Sequence, residues 1–410
     1  MFDFRQEGIN SASKLAIAIH TANLDSDDVP ILRLTGNIVL RGALPAITRD
    51  VSIEGNGFTI DADFASRILS IRSSDVRIGH LVLVNGMERS GGAIFLEGGS
   101  LRVSNCTLMN NVSDWGGAIR SEGGRLSIFN ATISANEGEA AGAVYCLDSR
   151  LDICNCDISA NSAEKWSGGA VSVTGGEFHI SKSQFSGNVA HIGGGAIDLT
   201  DSHASKLSSR ISDCIFIKNS ASHGGGISSH GKLTVTACSF DGNAADRGGA
   251  IFHFGAKLSM QNSTITRNSA REGGGINVAH DSAATLTHVT IARNVAKTGG
   301  GTFKLRSGML NLRNCLLAGN EGGDCVGRIS QNVGNLIQEG STLADINSDP
   351  MLGALVEPED GSPAYHPLLP GSPAIGAGNE RYCLPNDQRG TPRPQGEACD
   401  IGAIENIYDD

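Results

Sequence analysis

The sequence predicts an all-β chain wound as a parallel β-helix, a solenoid of about a dozen coils. Three observations carry this. A short pattern, seen as Asn243-Ala-Ala-Asp-Arg-Gly-Gly-Ala-Ile251, recurs with its last position at Ile94, Ile119, Val144, Val171, Ile197, Ile227, Ile251, Ile276 and Thr302, at intervals of 24 to 30 residues. Each period holds three short apolar alternations, such as Ile251-Phe252-His253-Phe254, Lys257-Leu258-Ser259-Met260 and Ser263-Thr264-Ile265. No period has ten consecutive residues free of Gly or turn signals, as a helical repeat would need. A unit of this size cannot bury its own apolar face, so it must stack on its neighbours. Strand-to-strand pairing then adds about 4.8 Å per coil.

Residues 1–30 read as an N-terminal cap, with a short amphipathic helix over 11–23 and a serine as its N-cap. Residues 31–320 read as the coils. In most of them an asparagine precedes the reference position by eight to ten residues: Asn111, Asn136, Asn161, Asn188, Asn219, Asn243, Asn268 and Asn294, with Asn320 one period on. A carboxamide at a fixed position of stacked strands is expected to form a hydrogen-bonded ladder. The paired glycines, as in Gly116-Gly117 and Gly248-Gly249, are expected to supply positive φ or a close backbone approach at another turn. Residues 321–410 read as the last coils and an irregular cap over the open end of the stack.

Composition narrows the function classes. A formal net charge of -11 argues against nucleic acid or a general attraction to anionic lipid, because cations to neutralise phosphates are not in excess. No apolar run approaches the roughly 20 residues of a membrane-spanning helix. The first residues lack the charged-then-apolar pattern of a secretory signal, and a mature or trimmed form of an exported monomer is the expectation. Cys106, Cys156, Cys214, Cys238 and Cys315 each stand five residues before an asparagine of the series, so they should stack as small buried hydrophobes. Cys383 and Cys399 flank a Pro-rich segment outside the array and are the expected disulfide, which would imply an extracytoplasmic home. No cofactor and no metal site is expected: cysteine pairs of zinc spacing are missing, and Asp25, Asp27 and Asp28 read as a solvated turn.

The Gly-Gly-Ala-Ile repeats resemble those of chlamydial polymorphic outer-membrane proteins. The tail, with Leu368-Leu-Pro-Gly-Ser-Pro-Ala-Ile375, Asp387-Gln-Arg-Gly390 and Cys399-Asp-Ile-Gly-Ala-Ile-Glu405, is similar to the "choice-of-anchor" region of bacterial surface proteins. Together they resemble the right-handed parallel β-helix surface proteins of the pectin-lyase-like superfamily. The resemblance implies a right-handed, single-stranded β-helix, an extracellular or cell-surface location and dealings with polysaccharide, but a fold does not fix an activity.

Side chains alternate along a strand, so if the reference residue points inward its neighbour points out. That outward row includes Phe95, Arg120, Tyr145, Ser172 and Asp198, and the row two further on includes Glu97, Glu122 and His230. Glu97 and Glu122 are expected on adjacent coils about 5 Å apart, a retaining-glycosidase separation, with Arg120 beside them; solvated surface carboxylates are the alternative. Asp198 and His230 are candidates for an acid and base pair, or for a surface ion pair. Trp115 and Trp166, two coils or about 10 Å apart, with Tyr145, His191 and His223, form a candidate strip for stacking on sugar rings. No compact cluster of cation and carboxylate of the lyase kind is evident, although long turns such as the insertion 201–206 could supply one. The reading that results is a secreted or surface module that binds glycan or a protein partner, adhesin-like. A polysaccharide lyase or glycoside hydrolase, and a structural spacer, are the alternatives.

Overall fold

The computed structural model describes residues 8–24, 29–200, 209–279, 281–304, 308–339 and 344–407; the turn at Asp25, Asp27 and Asp28 and the insertion 201–206 lie outside the described residues. The chain divides into two compact units, 1–192 with 200–205, and 193–199 with 206–410. Both are built of parallel β-coils, about 11 turns in the chain, so the all-β solenoid follows the sequence expectation.

In unit 1 a representative coil runs through Ile94–Glu97 on sheet 1, Ser100–Ser104 and Thr107–Met109 on sheet 2, and Val112–Trp115 on sheet 3. The last strand is one more than the alternation predicts, because only Ser113 of its four residues is buried. Its neighbours pair in register, Ile94 with Ile119 and Val144, Leu101 with Leu126, Leu151 and Phe178, and Leu108 with Ile133, Ile158 and Phe185. These inward columns are at most 1% exposed, and each fully buried side chain contributes about 1.5–3 kcal/mol.

The asparagines form the expected ladder. In unit 1 the Nδ2 of Asn111 donates to Oδ1 of Asn136 (2.9 Å), Asn136 to Asn161 (3.0 Å) and Asn161 to Asn188 (3.0 Å), and each backbone N–H donates to the same oxygen. Unit 2 repeats this from Asn219 through Asn243, Asn268 and Asn294 to Asn320. There the last rung is a carboxylate: Asn320 donates to Oδ1 of buried Asp324 (2.7 Å), whose other oxygen accepts from the Glu339 N–H (2.6 Å). Burial raises the Asp324 pKa against the pull of these hydrogen bonds.

The paired glycines divide the two roles between them. Gly116 has φ +68, in the left-handed region that costs other residues strain. A Cβ on Gly117 would lie 2.1 Å from the carbonyl oxygen of Gly142 one coil on. The five aligned cysteines are buried and unbridged, each Sγ directed at the carbonyl two residues before it, as in Cys156 to Cys154 at 3.3 Å. Burial pushes the Cys106 and Cys156 thiols up to about 11 and Cys315 up to about 12.

The helix Ala12–Leu24 buries Leu15, Ala18, Ile19 and Ala22. Ser11 caps it, its Oγ accepting from the Lys14 N–H at 3.4 Å, and Asn23 fastens it to the Ala46 carbonyl (2.7 Å) and the Thr48 N–H (2.9 Å).

The segment after the coils begins against the last strand, where Ile346 bridges Leu336, and its later part lies along the outer flank of sheet 2. Gln388 accepts from the Thr264 hydroxyl (2.7 Å), His366 from Thr266 (3.0 Å), and the Ala403 N–H donates to Thr290 (2.9 Å). Leu368, Ala374 and Ile401 pack on Leu316, Ala318 and Leu336. Small hydroxyl and aliphatic side chains let the tail seat there with much of its polar surface hydrogen-bonded, although Nε of buried Arg393 has no partner among the described residues. Its motif residues hold one another: buried Arg393 donates to Glu405 (2.9 Å) and to the carbonyls of Asp400 (3.0 Å) and Gly402 (2.9 Å).

Candidate functional site

The outer face of sheet 2 in unit 1 carries the densest chemistry. Strands Asp75–Gly79, Ser100–Ser104, Arg125–Phe129, Arg150–Cys154 and Glu177–Ser181 pair in parallel register. Their inward positions are apolar, so period two sends the alternate residues to solvent. One outward row is Arg77, Arg102, Ser127, Asp152 and His179; a second is Asp75, Ser100, Arg125, Arg150 and Glu177. The first row, with Asp75, Ser100, Arg125 and Phe129, lines a groove of about 840 Å³, and Arg150 and Glu177 stand next to it in the second row.

The two ends of the groove differ in charge pairing. Asp152 lies 3.3 Å from Arg125, 3.3 Å from Arg150 and 3.6 Å from Nδ1 of His179, and Arg150 also meets Glu177 at 3.2 Å. That half is closed on itself. In the other half the Arg102 guanidinium lies 4.5 Å from the centroid of Phe129, and neither Arg77 nor Arg102 has an ion-pair partner among the described residues. Two cations without ion-pair partners, one coil apart and one of them over an aromatic ring, suit a chain that presents an anion at every repeat. Asp152 beside His179, flanked by arginines, is the compact cluster that the sequence reading did not find. The reading followed sheet 1; the signal was the 25-residue spacing of Arg77 and Arg102 inside Val-Arg-Ile and Leu-Arg-Val.

On sheet 1 Glu97 and Glu122 do stand opposite each other. Each is taken by a different arginine, Glu97 by Arg72 (3.3 Å) and Glu122 by Arg120. Arg120 also donates to Ser90 (2.8 Å) and is surrounded by the rings of Trp115 (5.6 Å), Tyr145 (5.7 Å) and Phe95 (5.9 Å). Trp115 and Tyr145 meet edge to face at 5.2 Å. This cluster is therefore occupied by its own contacts, whereas Trp166 remains 53% exposed and His191 is also exposed. On sheet 3 the Glu137 carboxyl is held above its ordinary pKa by burial and by hydrogen bonding to Glu164, a pair the repeat pattern does not mark.

In unit 2 the register puts Ser228, not His230, opposite Asp198. The His230 ring turns to Phe254 (5.3 Å) and Phe252 (6.3 Å), and burial followed by the neighbouring His223 lowers its pKa. The acid and base pairing expected there is thus not one of strand neighbours. His223 lies against Phe252 at 5.0 Å.

Cys383 and Cys399 are joined, with Cα atoms 6.2 Å apart. Among the described residues the groups able to surround a metal ion are His288, Cys383 and Cys399, whose ligand atoms all lie within 4.8 Å of one another. No helix in the described residues is long and apolar enough to cross a membrane.

A family model described as a right-handed beta helix region matches residues 171–338. The chain matches no curated protein.

Proposed function

We propose that the chain is an exported or cell-surface β-helix module that binds an acidic polysaccharide along the sheet 2 groove of unit 1. The observation that carries this is the pair of arginines without an ion-pair partner among the described residues, Arg77 and Arg102, one coil apart in a single row, with Arg102 over Phe129. The coil rise of about 4.8 Å is close to the length of one pyranose unit, so successive carboxylates or sulfates can meet successive coils. Guanidinium groups suit this role because they bind planar anions with two parallel hydrogen bonds. Exposed Trp166 is a second stacking surface for sugar.

A second reading is cleavage of the same polymer, favoured by the contact of Asp152 with His179 at 3.6 Å. In it His179 acts as base while an arginine neutralises the uronate carboxylate.

The test is retention on immobilised acidic and neutral polysaccharides at low and high salt, with release of unsaturated or reducing ends followed in parallel. Salt-sensitive retention of acidic polymers, lost in the Arg77→Ala, Arg102→Ala double variant, supports the module. Chain cleavage abolished by His179→Gln supports the enzyme. Retention unchanged in the double variant overturns the groove assignment, and silence in both channels leaves a protein partner or a spacer.

A further inference from the structure

The tail of unit 2 brings ligand-type side chains together away from the groove. His288 sits at a coil corner with φ +51, which turns its ring outward beneath the tail. Its Nδ1 lies 3.2 Å from the Gly402 carbonyl oxygen and so carries the proton, leaving the lone pair on Nε2. That nitrogen accepts from Nδ2 of Asn314 (3.1 Å) and lies 3.9 Å from Sγ of Cys399. His288 and Cys399 are 0% and 1% exposed, and with Cys383 their ligand atoms fall within 4.8 Å of one another.

We propose that His288, Cys383 and Cys399 form a redox-gated site for a soft divalent cation such as Zn2+. In the oxidised chain the two sulfurs are joined and the site is closed. An external dithiol donates two electrons, the S–S bond breaks, the dithiol becomes a disulfide, and two thiols appear. Zn2+ then displaces their two protons to solvent, two Zn–S bonds and one bond to Nε2 form, and water takes the fourth position.

Three features fit this chemistry. Two thiolates and one imidazole suit Zn2+, which takes sulfur and nitrogen ligands in tetrahedral geometry and keeps an open position when the protein supplies three. The Gly402 carbonyl on Nδ1 is the outer partner that fixes the tautomer of a ligating histidine. Asn314 keeps a second acceptor, the Asn379 carbonyl at 3.1 Å, when it yields the imidazole. The two states also differ in what they join. The disulfide links Cys383 to Cys399 within the tail, whereas the metal would tie the tail to a coil through His288.

The full-length protein, oxidised or reduced with a phosphine under anaerobic conditions, would be titrated with Co2+ and then Zn2+. Reduced protein is expected to bind one Co2+ per chain, with the thiolate-to-cobalt charge-transfer band and the visible bands of a tetrahedral site, both removed by Zn2+. Oxidised protein should bind none. His288→Asn, which tolerates the left-handed corner, should weaken binding by at least ~10-fold, as loss of an outer partner alone already does. Cys383→Ser, at a half-buried position, tests the site independently should the histidine variant misfold. The same band in a Cys383→Ser, Cys399→Ser double variant would assign the metal to the array cysteines and overturn the proposal, as would a reduced chain that shows no band.

Discussion

The outer face of sheet 2 is left open in unit 1 and is covered by the chain's own tail in unit 2. At the first position of its second strand, unit 1 shows Thr107, Thr132, Asp157 and Gln184, and unit 2 shows Ile215, Ser239, Thr264, Thr290 and Leu316. The inward columns are alike and both outward rows carry hydroxyls, but unit 1 also carries Asp157 and Gln184 where unit 2 carries hydroxyls and aliphatics alone. The hydroxyls of Thr264, Thr266 and Thr290 hydrogen-bond to the tail, and Leu316 packs on it. The Asp157 carboxylate in the unit 1 row would have to shed its hydration to be covered, which is costly without a partner. Outward chemistry, on a backbone common to both units, thus differs between the face that receives the tail and the face that does not.

The largest effect is expected where the cover is anchored. Glu405→Ala would leave the Arg393 guanidinium, 0% exposed in its side chain, without its carboxylate 2.9 Å away. Breaking a buried pair from one side costs about 3–5 kcal/mol. Urea unfolding followed by circular dichroism should show a loss of that size, and a loss below ~1 kcal/mol would mean that the tail is not held by this pair. Next comes Asn136→Ala in unit 1, where no tail is involved. It strips the acceptor from the Asn111 N–H and carboxamide and the donor from the Leu108 carbonyl. About 3 kcal/mol is expected, the upper end for a buried unsatisfied group, and Asn243→Ala should match it in unit 2. Unequal losses would show that the ladder is not the shared element of the two units.

That shared element was the legible part of the sequence. Asparagine at a fixed place, glycine where the next carbonyl comes within 2.1 Å of a Cβ, and aliphatics at period two are each forced by coil geometry, so they repeat and can be seen. The groove does not repeat: Arg77, Arg102, Ser127, Asp152 and His179 form a row only once the register is known. The register likewise sets Ser228, and not His230, directly opposite Asp198, a shift of two residues that the sequence alone does not show. In the tail the Asp-Gln-Arg-Gly and Cys-Asp-Ile-Gly-Ala-Ile-Glu motifs were visible, but their seat on the flank was not, because it depends on scattered threonines of the coils.

A smaller effect distinguishes the covered face by its response to acid. His366 is 1% exposed, bonded to Thr266 and to the Gly353 carbonyl (3.0 Å each). Burial lowers its pKa from the ordinary 6.5, with the charges of Arg293 and Arg267 adding to the effect. The neutral ring is thus favoured in the folded state, and its contribution is full above pH 6.5 and is lost as pH falls through the lowered value. Unit 2 should therefore become easier to unfold below pH 6.5; buried His253 and His288, lowered to about 4 and about 3, share that dependence, so His366→Gln should reduce it in part. An unchanged slope in the variant would move the acid response to another group.

The least disturbing change tests the open face. Ser127 stands between Arg102 and Asp152 in the outward row, so Ser127→Arg would extend the free cations by one coil without touching the core. Stability should stay within about 0.5 kcal/mol, as for most surface substitutions. If the groove takes a polyanion, affinity should rise and the log–log salt dependence should steepen by up to about one unit for the added cation, by analogy with the counterion release measured on charged polymers. Enhanced binding without a steeper salt slope would point to stacking on sugar faces instead, and would shift the recognition from Arg77 and Arg102 to Phe129.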